Sequence, residues 1–121
     1  MAADLHPVVE ITHADGTRTE HELVHTVQIG RDAEVRLSLS GHLHFGRAAE
    51  PRAVEARLKT GTLHLTLDFS HALFIDCSYA QALRELATHA RQQGVTVRAV
   101  GLQGRSATDF ARFGLREVIA I

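Results

Sequence analysis

Three consecutive side chains, Asp76, Cys77 and Ser78, give the chain its densest run of reactive groups: a carboxylate, a thiol and a hydroxyl. They stand at the head of an amphipathic stretch over residues 78–93, so the sequence predicts them at a helix N-terminus. Ser78 with Gln81 fits the capping-box pattern, in which the hydroxyl satisfies an orphan amide of the first turn. A phosphate on Ser78 would instead face the positive end of the helix dipole. Capping is the favoured role, because Ser caps helices in any protein. Cys77 lies where a helix N-terminus lowers thiol pKa. A nucleophilic set of His71, Asp76 and Cys77 can be drawn. However, adjacent chain positions rarely point at one reacting atom, and a triad is defined by geometry. The reading is therefore non-enzymatic, with no catalytic residue.

Nine histidines raise the question of a metal. His42 and His44 are two apart on an expected strand and share a face, and His64 lies on the polar face of another. Three imidazoles on one sheet face would suit zinc. The spacing is loose and no cysteine assists, so half-exposed strand histidines are favoured and no metal is assigned. Residues 101–106, Gly-Leu-Gln-Gly-Arg-Ser, form a glycine-containing loop before a helix. Such a loop can hold a nucleotide phosphate, but the glycine spacing matches no phosphate-loop fingerprint. A plain turn is favoured, and no cofactor is assigned.

The elements that must position these groups fit one domain over residues 1–121, with a hairpin extension at 7–29 and a core at 35–121. Acids and bases are interspersed to a net charge of −1, without the basic stripe of a nucleic-acid binder. Cys77 is the only cysteine, which excludes an intrachain disulfide and fits a reducing compartment. No apolar run reaches the roughly 18 residues that cross a bilayer, so direct membrane insertion of this segment is not expected. The start lacks the basic and apolar regions of a signal peptide. Trp is absent, which leaves Phe45, Phe69, Phe74, Phe110 and Phe113 as the expected large pieces of an aliphatic core.

Val9 and Ile11 mark a first strand, and Asp15-Gly16 is a two-residue hairpin signal leading to a polar return strand over 17–24. Residues 35–40 and 95–100 alternate apolar with polar. So do residues 62–69, with Leu63, Leu65, Leu67 and Phe69 on the buried side. Helices are predicted over 48–59, 78–93 and 106–113, the last capped by Ser106 and buried through Phe110 and Phe113. Tyr79, Leu83, Leu86, Ala87 and Ala90 share one face of the second. Strands alternating with helices give an α/β fold: a mixed, mostly parallel sheet with helices mainly on one face and an antiparallel hairpin at its edge.

Residues 65–78, Leu-Thr-Leu-Asp-Phe-Ser-His-Ala-Leu-Phe-Ile-Asp-Cys-Ser, resemble the signature of STAS domains. There a strand ends in Asp and Ser, and an apolar turn leads to Ile-Asp-Ser-Ser/Thr-Gly at a helix start. Residues 41–48 are similar to the family's approach to its first helix, and residues 93–97 to its next strand. The family occurs at the cytosolic end of SulP-type anion permeases and as anti-sigma factor antagonists. The resemblance implies a regulatory module that acts by protein contact through Asp76, Cys77, Ser78 and Tyr79, with Asp76 holding the turn's amides. Two departures bear on the branch: Cys77 replaces Ser or Thr, and Tyr79 replaces Gly, where its bulk would obstruct a kinase. The long preface at 7–29 points the same way. The favoured expectation is the cytoplasmic domain of a SulP-like sulfate- or bicarbonate-type transporter at an inner membrane. Its partner would then be that transporter's membrane domain or a cytosolic regulator. The alternative is a free-standing antagonist with Ser78 as phosphoacceptor.

Overall fold

A computed structural model describes residues 8–21, 29, 32–58 and 62–121. Two antiparallel strands come first, β1 (Val8–Thr12) and β2 (Arg18–His21). Their connection is a three-residue loop and not the two-residue turn that Asp15-Gly16 suggested. The His13 amide donates to Thr17 O, Asp15 Oδ1 accepts from the Thr17 amide, and Gly16 takes φ +89°. Such loops place glycine in the left-handed region. Residues 22–24 of the expected return strand lie outside the described residues, as do 30 and 31 of the following turn.

The core alternates β3 (Glu34–Leu43), α1 (Ala49–Glu55), β4 (His64–Ile75), α2 (Cys77–Gln92), β5 (Thr96–Val100) and α3 (Gly104–Arg112). A 3-10 turn at Phe45–Arg47 leads into α1, and another at Leu115–Glu117 follows α3. The described strands form one sheet in the order β2-β1-β3-β4-β5, parallel between β3, β4 and β5 and antiparallel at β1. Period-2 alternation sets this arrangement. Val35, Leu37 and Leu39 of β3, Leu65, Leu67 and Phe69 of β4, and Val97 and Ala99 of β5 point inward. They meet Leu83, Leu86, Ala87 and Ala90 of α2 and Phe110 of α3 in one cluster. The opposite side of these strands shows Glu34, Arg36, His64, Thr96 and Arg98 to solvent, as a sheet covered on one face requires.

Four burial expectations fail. Leu63 is 43% exposed because β4 starts at His64, two residues later than expected, and leaves Leu63 outside the strand. Phe45 is 74% exposed on its 3-10 turn. Phe74 and Phe113 are half-buried, which leaves Phe69 and Phe110, edge to face at 5.8 Å, as the large aromatic core pair. The apolar end of the chain docks: Leu115 and Ile119 are buried, and Ala120 exchanges backbone bonds with Val97 and Ala99 of β5. No described helix is long and apolar enough to cross a membrane.

Candidate functional site

Strands β3, β4 and β5 are parallel, so their carboxyl ends open on the same side of the sheet. In open α/β folds, this is where loops meet ligands and partners. The β4–α2 junction there is almost without slack. The Asp76 amide still donates to Leu43 O of β3 at 2.9 Å, the last bond of the ladder. Asp76 keeps extended geometry (φ −90°, ψ 172°), and the helix begins at Cys77. The cap is consequently Asp76 and not Ser78. Its Oδ1 accepts from the Tyr79 amide at 2.8 Å, while Oδ2 accepts from the Phe45 amide at 2.9 Å. One carboxylate thus ties the start of α2 to the turn that follows β3. Ser78, moved into the first turn, is exposed, and so is Cys77.

Tyr79 corrects a second expectation. It is fully buried (0% exposed) and does not crowd the loop. Tyr79 stands four residues before Leu83 and seven before Leu86, so it shares their inward face of α2 whichever residue caps the helix. Its hydroxyl makes a long 3.4 Å contact with Glu50 Oε1, and Glu50 Oε2 accepts from Arg47 Nε at 3.0 Å. Burial, reinforced by the Glu50 charge, pushes the Tyr79 hydroxyl well above the ordinary phenol range, and Arg47 offsets only part of this. Arg47 also finishes the β3 edge. Described β1 pairs with β3 only as far as Ser38, and beyond it Arg47 Nη1 donates to Ser40 O and His42 O. Its Nη2 is buried and has no partner among the described residues.

The β5–α3 loop braces the other side of β4. Gly101 (φ +74°) packs so tightly that a Cβ would stand 2.3 Å from Ser70 Oγ, so only glycine fits. Helix α3 is capped from Gln103 and not from Ser106. The Ser106 hydroxyl, at the third helical position and buried, accepts from the Gln103 amide at 3.3 Å and donates to Gln103 O. Asp109, also buried, accepts from the Ile75 amide at 3.1 Å and from Arg105 and Arg112 at 3.2 Å each. Sequence reasoning missed Asp109. Its one local signal was arginines at four residues before and three after, which is ordinary helix-surface spacing. Lower on β4, Asp68 accepts from the Ser70 amide and hydroxyl and from Arg36. Burial raises this carboxyl, but those donors outweigh it and hold it below its ordinary range.

The other sequence candidates do not converge. His64 pairs with Glu34 at the start of β3, and His42 lies eight residues further on, about 26 Å along the strand. His44 Nδ1 accepts from the Gly46 amide at 3.2 Å. No group of three potential metal ligands forms among the described residues. His71 pairs with Ser40, about 13 Å of strand before Ile75, and both Asp76 oxygens are occupied, so no nucleophilic set assembles. A depression of about 470 Å³ on the helix-free face is lined by Glu10, Glu34, Arg36, His64 and Arg98 among others. Its charges largely pair with neighbours: Arg18 with Glu10, Arg36 with Asp68, and His64 with Glu34.

A family model for the STAS domain matches residues 24–121. No curated protein matches the chain in sequence. Among solved structures, the inward-facing murine Solute Carrier 26 family member A9 anion transporter superposes with a TM-score of 0.65 at 17% identity, over 96% of this chain. The chain spans about a fifth of that transporter's length, 21%. The antisigma-factor antagonist STAS domain from Rhodobacter sphaeroides superposes with a TM-score of 0.52 at 22% identity, over 85% of this chain and 95% of its own.

Proposed function

The chain belongs to the STAS domain family, and we propose that it serves as the cytosolic regulatory domain of a SulP-like anion transporter. In this reading it performs no catalysis and acts by contact with the transporter's membrane domain or a cytosolic regulator. The observation that carries the reading is the clamped β4–α2 junction. Asp76 immobilises two chain turns with its own carboxylate and leaves Cys77 and Ser78 presented, exposed, at the carboxyl end of a parallel sheet. In this reading the presented turn is the surface that the partner contacts. The transporter branch is favoured by extent. The transporter fold covers 96% of this chain, which must include most of the β1–β2 hairpin, against 85% for the antagonist. The supposed obstruction by Tyr79 no longer contributes, since that ring is buried.

A second reading rests on Ser78 itself. An exposed hydroxyl in the first turn of the 16-residue helix α2 lies where a phosphate would meet the positive helix end. That suits an antagonist-like switch. One experiment separates the two. In the full-length protein that carries this chain, Cys77→Arg and Ser78→Arg should alter anion uptake or surface abundance without loss of fold. Unchanged uptake and abundance would overturn the transporter reading. An effect confined to Ser78→Asp, with no change in transport, would favour the switch.

A further inference from the structure

The helix-free face of the sheet carries a depression of about 470 Å³ that the presented turn does not use. It lies toward the amino ends of the parallel strands, at the opposite end of β4 from Asp76. Its volume is in the range of small-ligand sites. Register sets the side chains that matter in two adjacent rows across β3, β4 and β5. Glu34, His64 and Thr96 form one row, and Arg36, Thr66 and Arg98 form the next. All six line the depression.

The charges of the lining fall into two sets. Glu10 is bound to Arg18, and Arg36 donates to Asp68. Glu34, by contrast, has only the His64 ring, at 3.9 Å and beyond hydrogen-bond length. The Arg98 guanidinium has no ion pair or hydrogen bond among the described residues, and neither do the hydroxyls of Thr66 and Thr96. One carboxylate and one guanidinium are thus left over, on β3 and β5, with His64 and Thr66 of β4 between them. Strand spacing and rise put their Cα atoms about 12 Å apart. A lone anion at Arg98 would face Glu34 and Glu10, and a lone cation at Glu34 would face Arg36 and Arg98. Only a ligand that carries both charges matches both leftover groups.

We propose that this depression binds a small zwitterion of dipeptide length. Its ammonium meets Glu34, and its carboxylate meets the guanidinium fork of Arg98, whose planar donors suit a carboxylate. Its central amide lies over β4, where His64, Thr66 and Thr96 offer hydrogen-bonding atoms. The span favours a dipeptide over a free amino acid, whose two charges are closer by one residue, about 3.5 Å. A second copy of the chain laid face to face would set one depression against another and leave both unfilled. The inference does not rest on the transporter reading, because it concerns a different surface and the isolated chain.

The test is a titration of the isotope-labelled chain with glycylglycine at fixed ionic strength, followed by amide chemical shifts. Shifts are expected on β3, β4 and β5 around Glu34, Thr66 and Arg98 and not at Ser78, with a dissociation constant of about 1 mM. Acetylglycylglycine lacks the ammonium and glycylglycinamide lacks the carboxylate, and each should bind about tenfold more weakly. Glycine should also bind more weakly. Glu34→Gln and Arg98→Gln should each weaken glycylglycine about tenfold, and Ser78→Ala should leave it unchanged. Glu34→Gln should no longer distinguish glycylglycine from its acetylated form, nor Arg98→Gln from its amide, a loss that mere structural damage would not produce. All three positions are exposed, and an unchanged unfolding midpoint verifies the fold of each variant. No shifts on these strands, equal binding of the singly charged analogues, or glycine as tight as glycylglycine would each overturn the proposal. Dimerisation that Arg98→Gln abolishes and glycylglycine does not reverse would overturn it in favour of a second copy.

Discussion

Replacing Asp76 by Ala removes two hydrogen bonds made by one carboxylate, and the structure assigns each a magnitude. The bond to the Tyr79 amide is an N-cap, whose loss costs about 1 kcal/mol. The bond to the Phe45 amide joins a charged acceptor to a backbone donor on the other loop. At a half-buried site it is worth about another 1 kcal/mol. Asp76→Ala should therefore cost about 2 kcal/mol. Asp76→Asn should cost about half of that, because Asn caps as well as Asp but its amide nitrogen cannot accept from Phe45. Ser78 is exposed and caps nothing, so Ser78→Ala should stay within about 0.5 kcal/mol. Urea unfolding followed by circular dichroism at neutral pH resolves these differences, provided the slope with urea stays constant. A loss of about 1 kcal/mol in Ser78→Ala, with Asp76→Ala near neutral, would refute the assignment. It would mean that the last ladder bond at Asp76 does not decide where α2 starts.

Two titrations and one truncation extend the same reasoning. Tyr79 is the only tyrosine, so alkaline absorbance titration reports on it alone. Its folded pKa is raised, so stability is fully present below the unfolded value near 10 and is lost as pH rises beyond it. Ionisation should coincide with unfolding, and an ordinary midpoint in folded protein would contradict the burial. Tyr79→Ala should cost about 4 kcal/mol, as for other large aromatic truncations, while Tyr79→Phe, losing only the long contact to Glu50, should cost at most about 1 kcal/mol. Asp68 has a lowered folded pKa, so its contribution is present above the unfolded value near 3.9 and is lost as pH falls through the folded one. Asp68→Asn should flatten the acid limb of the stability–pH curve, and an unchanged limb would show that Ser70 and Arg36 do not stabilise the ionised form.

What the sequence determined by itself is what short-range periodicity encodes. Alternation at 35–40 and 95–100 placed strands with one inward face, and the spacing of Leu83, Leu86, Ala87 and Ala90 placed the buried stripe of α2. Strands interleaved with helices then required parallel crossovers, because few connections pack a helix back onto its sheet. The run at 65–78 was legible through its resemblance to STAS domains, which implied that Asp76 holds the turn's amides. The strand nevertheless runs on to Ile75, and the cap is not Ser78. What only the tertiary structure decided was how these pieces meet. Asp76 and Ser78 are both competent caps, and the choice fell to Asp76 because its amide is still bound to Leu43 of another strand. Tyr79 proved to be a core side chain and not an obstruction, because it shares the face of Leu83 and Leu86 that packs on the sheet. Phe45 and Leu73 are as apolar as the residues of the core, yet a bond to a distant carboxylate and a bulge against β3 hold them in solvent. Asp109 looks like any helix-surface acid until β4 brings the Ile75 amide to it. Propensity and period act over a few residues, whereas cap choice, bulges and buried charges depend on partners 30 or more positions away, which no local pattern specifies.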